Sequence, residues 1–418
     1  MRRVLSVLLI LPLLLPATVA LAGSGGSIYS FLGIGDLRLA PNVRAAGMGY
    51  TGYAIGNPHY INTLSPASWA RIERARIEAS MLYEGYQSTN GSISRYLARG
   101  DFNGAMLALP LSPSRGIVVA AGFTPFSNVD YNTYTTGTFT GSADTMAYSI
   151  NHTGTGGISK GQLGISYAPS RSIALGIGLN YFFGTVEKAS TITPRSSSYA
   201  GGTQNEETTM NGTAFTVSAM LDSLENVSSF LAPFSFGFSF TTRAKLTSTH
   251  RYTYLFTTLR DTTAETEEYM IIPATLGIGI SYRPSARWLI AADVTTQAWR
   301  SAEFRGKSID GIRNSTLVGI GFERLPAREA GQSLFDRLAY RFGALYHATY
   351  YAPNGDPVNA WAVTAGLGIP VSADTRLNLA VEYGSRGTTE KGMIRDNILR
   401  FSASITISEL WFARFEED

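Results

Sequence analysis

From Asn397 to Ser408 the chain alternates without a break: Leu399, Phe401, Ala403, Ile405 and Ile407 share one side, and Arg400, Ser402, Ser404, Thr406 and Ser408 the other. Successive side chains of a strand point to opposite faces, so the pattern predicts a strand with one apolar and one polar face. Thirteen earlier segments repeat it. Their apolar positions run from Ile77, Ala79, Met81 and Tyr83 in the first, through Ile173, Leu175, Ile177, Leu179, Tyr181 and Phe183 in the fifth, to Leu377, Leu379, Val381 and Tyr383 in the thirteenth. The opposite positions carry Gly164, Ser166, Gly176, Asn180, Ser281, Asp293, Arg341, Asn378 and Glu382. None of the apolar positions is charged. A soluble sandwich would bury the apolar face against a second sheet, whereas an outer-membrane barrel turns it toward lipid. A charge facing lipid at mid-depth costs roughly 2 to 4 kcal/mol for Arg or Lys, so this segregation favours the barrel. The fold predicted is an all-β transmembrane antiparallel β-barrel of about 14 strands.

Link lengths test this independently, because such barrels have short periplasmic turns and long extracellular loops. Short links such as Pro113-Ser114-Arg115, Pro169-Ser170-Arg171, Pro284-Ser285-Ala286 and Ala373-Asp374 follow even-numbered strands. Long ones, Ser127 to Met146, Val186 to Glu207, Arg243 to Glu268 and Ser301 to Arg313, follow odd-numbered strands. The parity puts the long loops outside the cell.

The chain opens Met1-Arg2-Arg3, an apolar run from Val4 to Leu15, and Ala20-Leu21-Ala22 before Gly23. This reads as a cleaved secretory signal peptide over residues 1–22. Setting aside Arg2 and Arg3, the 34 basic residues fall to 32 against 31 acidic ones, and no run of like charge points to nucleic acid. Cysteine is absent, which excludes disulfides and thiolate metal sites. Residues 23–74 do not alternate and carry glycines at 25, 26, 33, 35, 47, 49, 52 and 56. Too Gly-rich for a regular helix and too apolar for a free arm, the segment is expected to be a plug, or hatch, with a periplasmic lid as the alternative. Ser65 and Pro66 fit the N-cap and first position of one helical turn. The barrel is expected over 75–412, with Trp411 and Phe412 in an interface belt and a periplasmic tail at 413–418.

Candidate chemistry changes little. Gly157-Ile158-Ser159-Lys160-Gly161 matches a nucleophile elbow, but that elbow needs strand, turn and helix, and here a strand follows at once. His59, His152, His250 and His347 are scattered without metal-ligand spacing. No catalytic residue, metal or cofactor is expected. Pro125 is different: proline removes a ladder hydrogen bond. It marks either a kink within the third strand or simply that strand's outer end.

Several stretches resemble the long-chain fatty-acid outer-membrane transporters, FadL and its aromatic-hydrocarbon relatives, and in particular their Bacteroidetes and Chlorobi branch. Arg44-Ala45-Ala46-Gly47-Met48-Gly49 is similar to the family's N-terminal box, and Ser65-Pro66-Ala67 stands where the family has Asn-Pro-Ala. Gly122-Phe123-Thr124-Pro125-Phe126-Ser127 resembles its third-strand kink and Gly154-Thr155-Gly156-Gly157 the entry to the fourth strand, while Gly384-Ser385-Arg386-Gly387-Thr388 and Trp411-Phe412 resemble the branch's C-terminal end. The resemblance implies an outer-membrane protein of a Gram-negative-type bacterium that takes up fatty-acid-like or aromatic hydrophobic molecules and releases them sideways beside the kink. It implies substrate contacts at Met48, Tyr50, Tyr53, Phe123, Phe126 and Tyr131, a lateral exit at Pro125, and a plug motif of Arg44, Gly47, Gly49 and Pro66. Its partners would be the substrate, outer-membrane lipid, and the barrel-assembly machinery acting on the C-terminal strand. The competing reading is a type IX secretion barrel that docks exported proteins.

Overall fold

In the computed structural model the described residues are 26–39, 42–140, 145–196, 199–226, 228–256, 260–304, 307–326, 333–372 and 375–409. The proposed leader, Ala373-Asp374, Trp411-Phe412 and the tail lie outside them. The alternating segments form one antiparallel sheet that closes on itself. Its strands are β1 (Ala75–Thr89), β2 (Ser94–Ser112), β3 (Ile117–Pro125, continuing as Ser127–Thr140), β4 (Thr145–Tyr167), β5 (Ile173–Pro194), β6 (Gly202–Leu221) and β7 (Phe234–Thr241, then Ala244–Phe256). There follow β8 (Thr266–Ile272, then Thr275–Ser285), β9 (Trp288–Gln297), β10 (Ser315–Arg324), β11 (Ala339–Ala348), β12 (Asn359–Pro370), β13 (Arg376–Gly387) and β14 (Arg395–Glu409). Closure runs from Ala75 opposite Glu409 to Thr89 opposite Arg395. The barrel is therefore all-β, antiparallel and fourteen-stranded.

The expected faces hold. Ile77, Met81, Leu175, Ile177, Phe215, Ile320, Trp361, Val363, Phe401, Ile405 and Ile407 are exposed, whereas Ser166, Asn180, Ser281, Asp293, Arg341, Asn378 and Thr406 are buried. Gly157 to Gly161 lies inside the unbroken strand β4, as the absence of an elbow required.

Sequence reading missed the height of one side. Crossing a bilayer takes roughly 9–11 strand residues, and β9, β10 and β11 have ten each. Yet β4 has 23 residues, β5 22 and β6 20. Much of what reads as loops after β3, β5 and β7 is strand. These segments lost the alternation because above the belt both faces meet water, so Thr and Ser suit either one. On β5 the outward row is apolar from Ile173 to Phe183 and then turns to Thr185 and Glu187. The result is a wall of paired strands that stands beyond the membrane on one side only.

Candidate functional site

Residues 26–39 and 42–72 form no barrel strand and pack against the polar face of the sheet. They hold a 3-10 turn at Ile28–Phe31, a helical turn at Val43–Ala46 capped by Asn42, and a second 3-10 turn at Pro66–Arg71. Pro66 opens the last, as expected, but Ser65 makes no side-chain cap. Glycines of the wall give the segment its seat. A Cβ on Gly319 would stand 2.1 Å from the Gly49 carbonyl oxygen, and one on Gly237 2.0 Å from that of Tyr53. Gly47 rests on Gly366, and Pro66 and Ala67 on Gly176. Gly49 itself has φ +63° between the carbonyls of Ile320 and Ala344, a position closed to any side chain. Tyr50 follows at φ +65°, unusual for a non-glycine residue, and its hydroxyl donates to Glu382 at 2.6 Å.

Hydrogen bonds and ion pairs tie the segment to the wall at three levels. Lowest, Arg44 and Arg341 share the fully buried Glu323, and Arg341 also reaches Asn378 and Tyr60. In the middle, the amides of Gly52 and Tyr53 donate to Asp293 at 2.5 and 2.9 Å, and Arg38 pairs with Glu84 and Asp101 at 2.6 and 2.7 Å. Highest, Asp36 accepts from Arg386 at 2.7 Å and from Tyr351 at 2.6 Å. Burial raises the Asp36 pKa, but Arg386 and these hydrogen bonds outweigh it and hold the carboxyl below its ordinary value. Around this anchor Tyr29, Tyr350, Tyr351 and Trp299 stack at centroid distances of 4.3 to 5.7 Å and cap the outer end.

Beside Pro125 the barrel is seamed. The β2–β3 ladder ends at Ala105 opposite Phe123, and Asn103 bulges from β2 just above it. Pro125 still faces Ser159 in register, but Val129 faces Gly156, so β3 carries one extra residue across the break. Among the described residues no ladder joins β2 to the Ser127–Thr140 part of β3. The N-terminal segment takes the vacant edge: Asp36 and Leu37 pair with Asn128 and Ser127, and the Arg38 amide donates to the Phe126 carbonyl at 3.0 Å. Pro125 closes one strand segment, and after a break at Phe126 the next opens at Ser127 and carries the sheet onward. Ser159, the partner of Pro125, faces Phe183 at the top of the apolar belt, so the seam begins at the outer interface.

Behind Pro125 and Phe126 lies an open-mouthed cavity of about 150 Å³. Tyr50, Tyr53 and Phe126 line it with Leu37, Phe182 and Lys160. Met48 is fully buried beneath, against Ile55, Leu289 and Ala291. Tyr131 is buried above, edge-on to Phe31 at 5.3 Å. Phe123 stands apart on the exposed face, 5.4 Å from Phe102. The structure thus gathers three of the six sequence-predicted contacts around one cavity. Sequence reasoning missed Asp36, Arg38, Glu84 and Arg386, whose only signal was a charge at inward parity or in the irregular segment.

A closed fourteen-stranded barrel with an uncharged outer belt and a charged, packed interior defines an outer-membrane barrel protein. A family model, BamG, matches residues 1–416, and the chain belongs to that family. No curated protein matches it in sequence. Among solved structures it is similar to the CymD monoaromatic hydrocarbon channel, at 11% identity over 90% of this chain and 99% of that one, with a TM-score of 0.58. It is similar to the Ralstonia pickettii toluene transporter TbuX at 12% identity, 88% and 98% coverage and a TM-score of 0.59. A Pseudomonas aeruginosa FadL homologue gives 13%, 89% and 99%, and 0.60. At such identities the likeness is one of fold.

Proposed function

We propose that this barrel takes up hydrophobic small molecules and passes them sideways into the membrane through the seam between β2 and β3. The observation that carries the reading is the loss of the β2–β3 ladder above Phe123, at the top of the apolar belt and in front of the cavity lined by Tyr50, Tyr53 and Phe126. An apolar solute gains free energy by entering lipid and has no reason to cross an aqueous pore. Tyr134, Phe139 and Tyr148 on the projecting wall would meet it first, Tyr131 and Phe126 next. Solved neighbours of the same fold are named as hydrocarbon channels and toluene transporters, which supports the substrate class.

In this reading residues 1–22 are a cleaved leader, 23–74 a plug held by Arg44, Gly47, Gly49 and Pro66, 75–412 the barrel and 413–418 a periplasmic tail. The same reading takes the resemblance of the C-terminal motifs to the Bacteroidetes and Chlorobi branch as support for membership there, and takes β14 as the strand that the assembly machinery reads. Mass spectrometry of organic extracts from detergent-purified protein tests the proposal. A hydrophobic compound at near one per chain, lost on Phe126→Asp, supports it; extracts matching those of an unrelated barrel overturn it. A second reading, a type IX secretion-associated barrel that docks exported proteins, is favoured by the aromatic cap at the outer end.

A further inference from the structure

The projecting wall is a sheet of six strand segments in the order Ser127–Thr140, β4, β5, β6, Ala244–Phe256 and Thr266–Ile272. Unlike the barrel below, it does not close among the described residues, and it has two lateral edges. They are built differently. The far edge is guarded by Glu265, Glu267 and Glu268, by Arg260 and Asp261 of a short added strand, and by Phe304 and Glu303 paired across Met270 and Ile271. The near edge runs Asn132-Thr133-Tyr134-Thr135-Thr136-Gly137-Thr138-Phe139-Thr140, with no charge and no proline.

Natural proteins blunt exposed edges with charges, prolines or covering segments, because a bare edge templates a further strand. Among the described residues the near edge has none of these above Tyr131. The uppermost contacts of the described N-terminal segment are made there, from the Gly26 amide at 3.1 Å and the Ser30 hydroxyl at 2.9 Å to the Asp130 carbonyl and from the Phe31 ring to Tyr131. Below that point the same edge already accepts a strand, Asp36-Leu37, in antiparallel register. From Thr135 upward β2 does not stand across the seam from it either. β2 reaches only Ser94, 11 residues above Ala105, while β3 continues 17 residues above Phe123 to Thr140. Most of Asn132–Thr140 is exposed.

We propose that Asn132–Thr140 is a docking edge on the cell-surface side that binds an extended, uncharged segment of a different polypeptide by strand addition. The pairing surface is backbone, so affinity comes from the ladder and selectivity from alternate side chains. Tyr131 and Gly137 pair with inward-facing Gly154 and Tyr148, so Phe139, at the same parity, shares the concave side with Tyr148, while Asn132, Tyr134 and Thr136 take the outer side. The segment that fits has apolar residues on alternate positions, against Phe139 and Tyr148, and polar ones between. A second copy of this chain does not fit. Antiparallel self-pairing needs a two-fold axis perpendicular to the strand, whereas two copies in one membrane share an axis along its normal, from which barrel strands tilt by only about 35–45°.

The test uses the full chain in lipid nanodiscs and a fluorescein-labelled nine-residue peptide of alternating Val and Thr, read by anisotropy. A twin methylated on every backbone amide keeps the side chains and removes the ladder. We expect the parent peptide to bind, and its affinity to fall at least tenfold both for the methylated twin and for the Tyr134→Lys/Thr136→Lys variant. Both substituted sites are exposed, so the variant should keep the heat-modifiable gel mobility of a folded barrel. Equal binding by the methylated twin or by the variant, or no binding of the parent peptide at millimolar concentration, overturns the proposal. In a chain without native cysteine, Thr136→Cys reports on the other occupant: a disulfide-linked homodimer in the bilayer would assign the edge to a second copy and overturn the heterologous partner, and a monomer is expected.

Discussion

Pro125 acts through what it lacks. Without an N–H it cannot donate to a ladder, and the β2–β3 ladder stops two residues before it. Pro125→Ala supplies the donor and relaxes the backbone. The expected outcome is unchanged barrel abundance with hydrophobic uptake lowered severalfold, measured as accumulation of a fluorescent apolar probe at matched surface levels. Asp36 acts through its charge. Its carboxyl is held below the ordinary value, so its stabilising effect is full above the unfolded pKa near 3.8 and is lost as pH falls through the lower folded value. Between pH 5 and 8 the wild type should therefore resist proteolysis in residues 26–38 equally well, and below about pH 4 that protection should fade. Asp36→Asn should lose it at every pH, by about 3 kcal/mol or less, because Arg386 keeps Asp396 at 3.1 Å. A variant as protected as wild type would remove Asp36 from the anchoring role.

Among the elements, β14 gives the sharpest check on orientation. Single cysteines at Phe401, Ile405 and Ile407, carrying a small fluorophore, should be quenched strongly by brominated lipid, while those at Ser402 and Thr406 should not. Equal quenching of both sets would mean the wrong register, since a one-residue shift exchanges every side chain between faces. The faces of β14 and of the other spanning strands were legible because lipid on one side and a polar lumen on the other impose strict parity. The upper halves of β3 to β7 were not. Water bathes both of their faces, and a stretch such as Thr133 to Thr140 shows neither a turn signal nor a one-sided pattern. Pro125 was visible as an anomaly, but whether β3 continued past it depended on Gly156 and Gly157 opposite, at φ +103° and +149°, a long-range pairing that no local rule specifies.

For the molecule as a whole, the question is what the N-terminal segment does to the lumen. Its glycine-rich composition hinted that it packs closely against something; its seat on Gly237, Gly319 and Gly366 and its ion pairs with Glu323 and Arg386 were beyond sequence, because they join residues some 180 to 350 positions apart. Take it away and the wall loses the apolar and polar partners that now fill its inner face. Glu323 would keep Arg341 and Glu84 would keep Arg400 and Arg99, while Asp293, freed of the Gly52 and Tyr53 amides, would face the water that enters. The closed hydrogen-bonded ring from β1 to β14 does not pass through it either. Deleting residues 24–73 behind an intact leader should therefore leave a folded, heat-modifiable barrel. With its polar inner face opened to water, that barrel should conduct ions in planar bilayers, where the full chain stays closed. Because Asp36 and Leu37 also cover the upper edge of β3, the deletion should make the amides of Asn128 and Asp130 exchange their hydrogens orders of magnitude faster, as freed edge positions do. A deletion variant that folds yet remains as closed as the full chain would mean that the segment is a lid or tail rather than a plug.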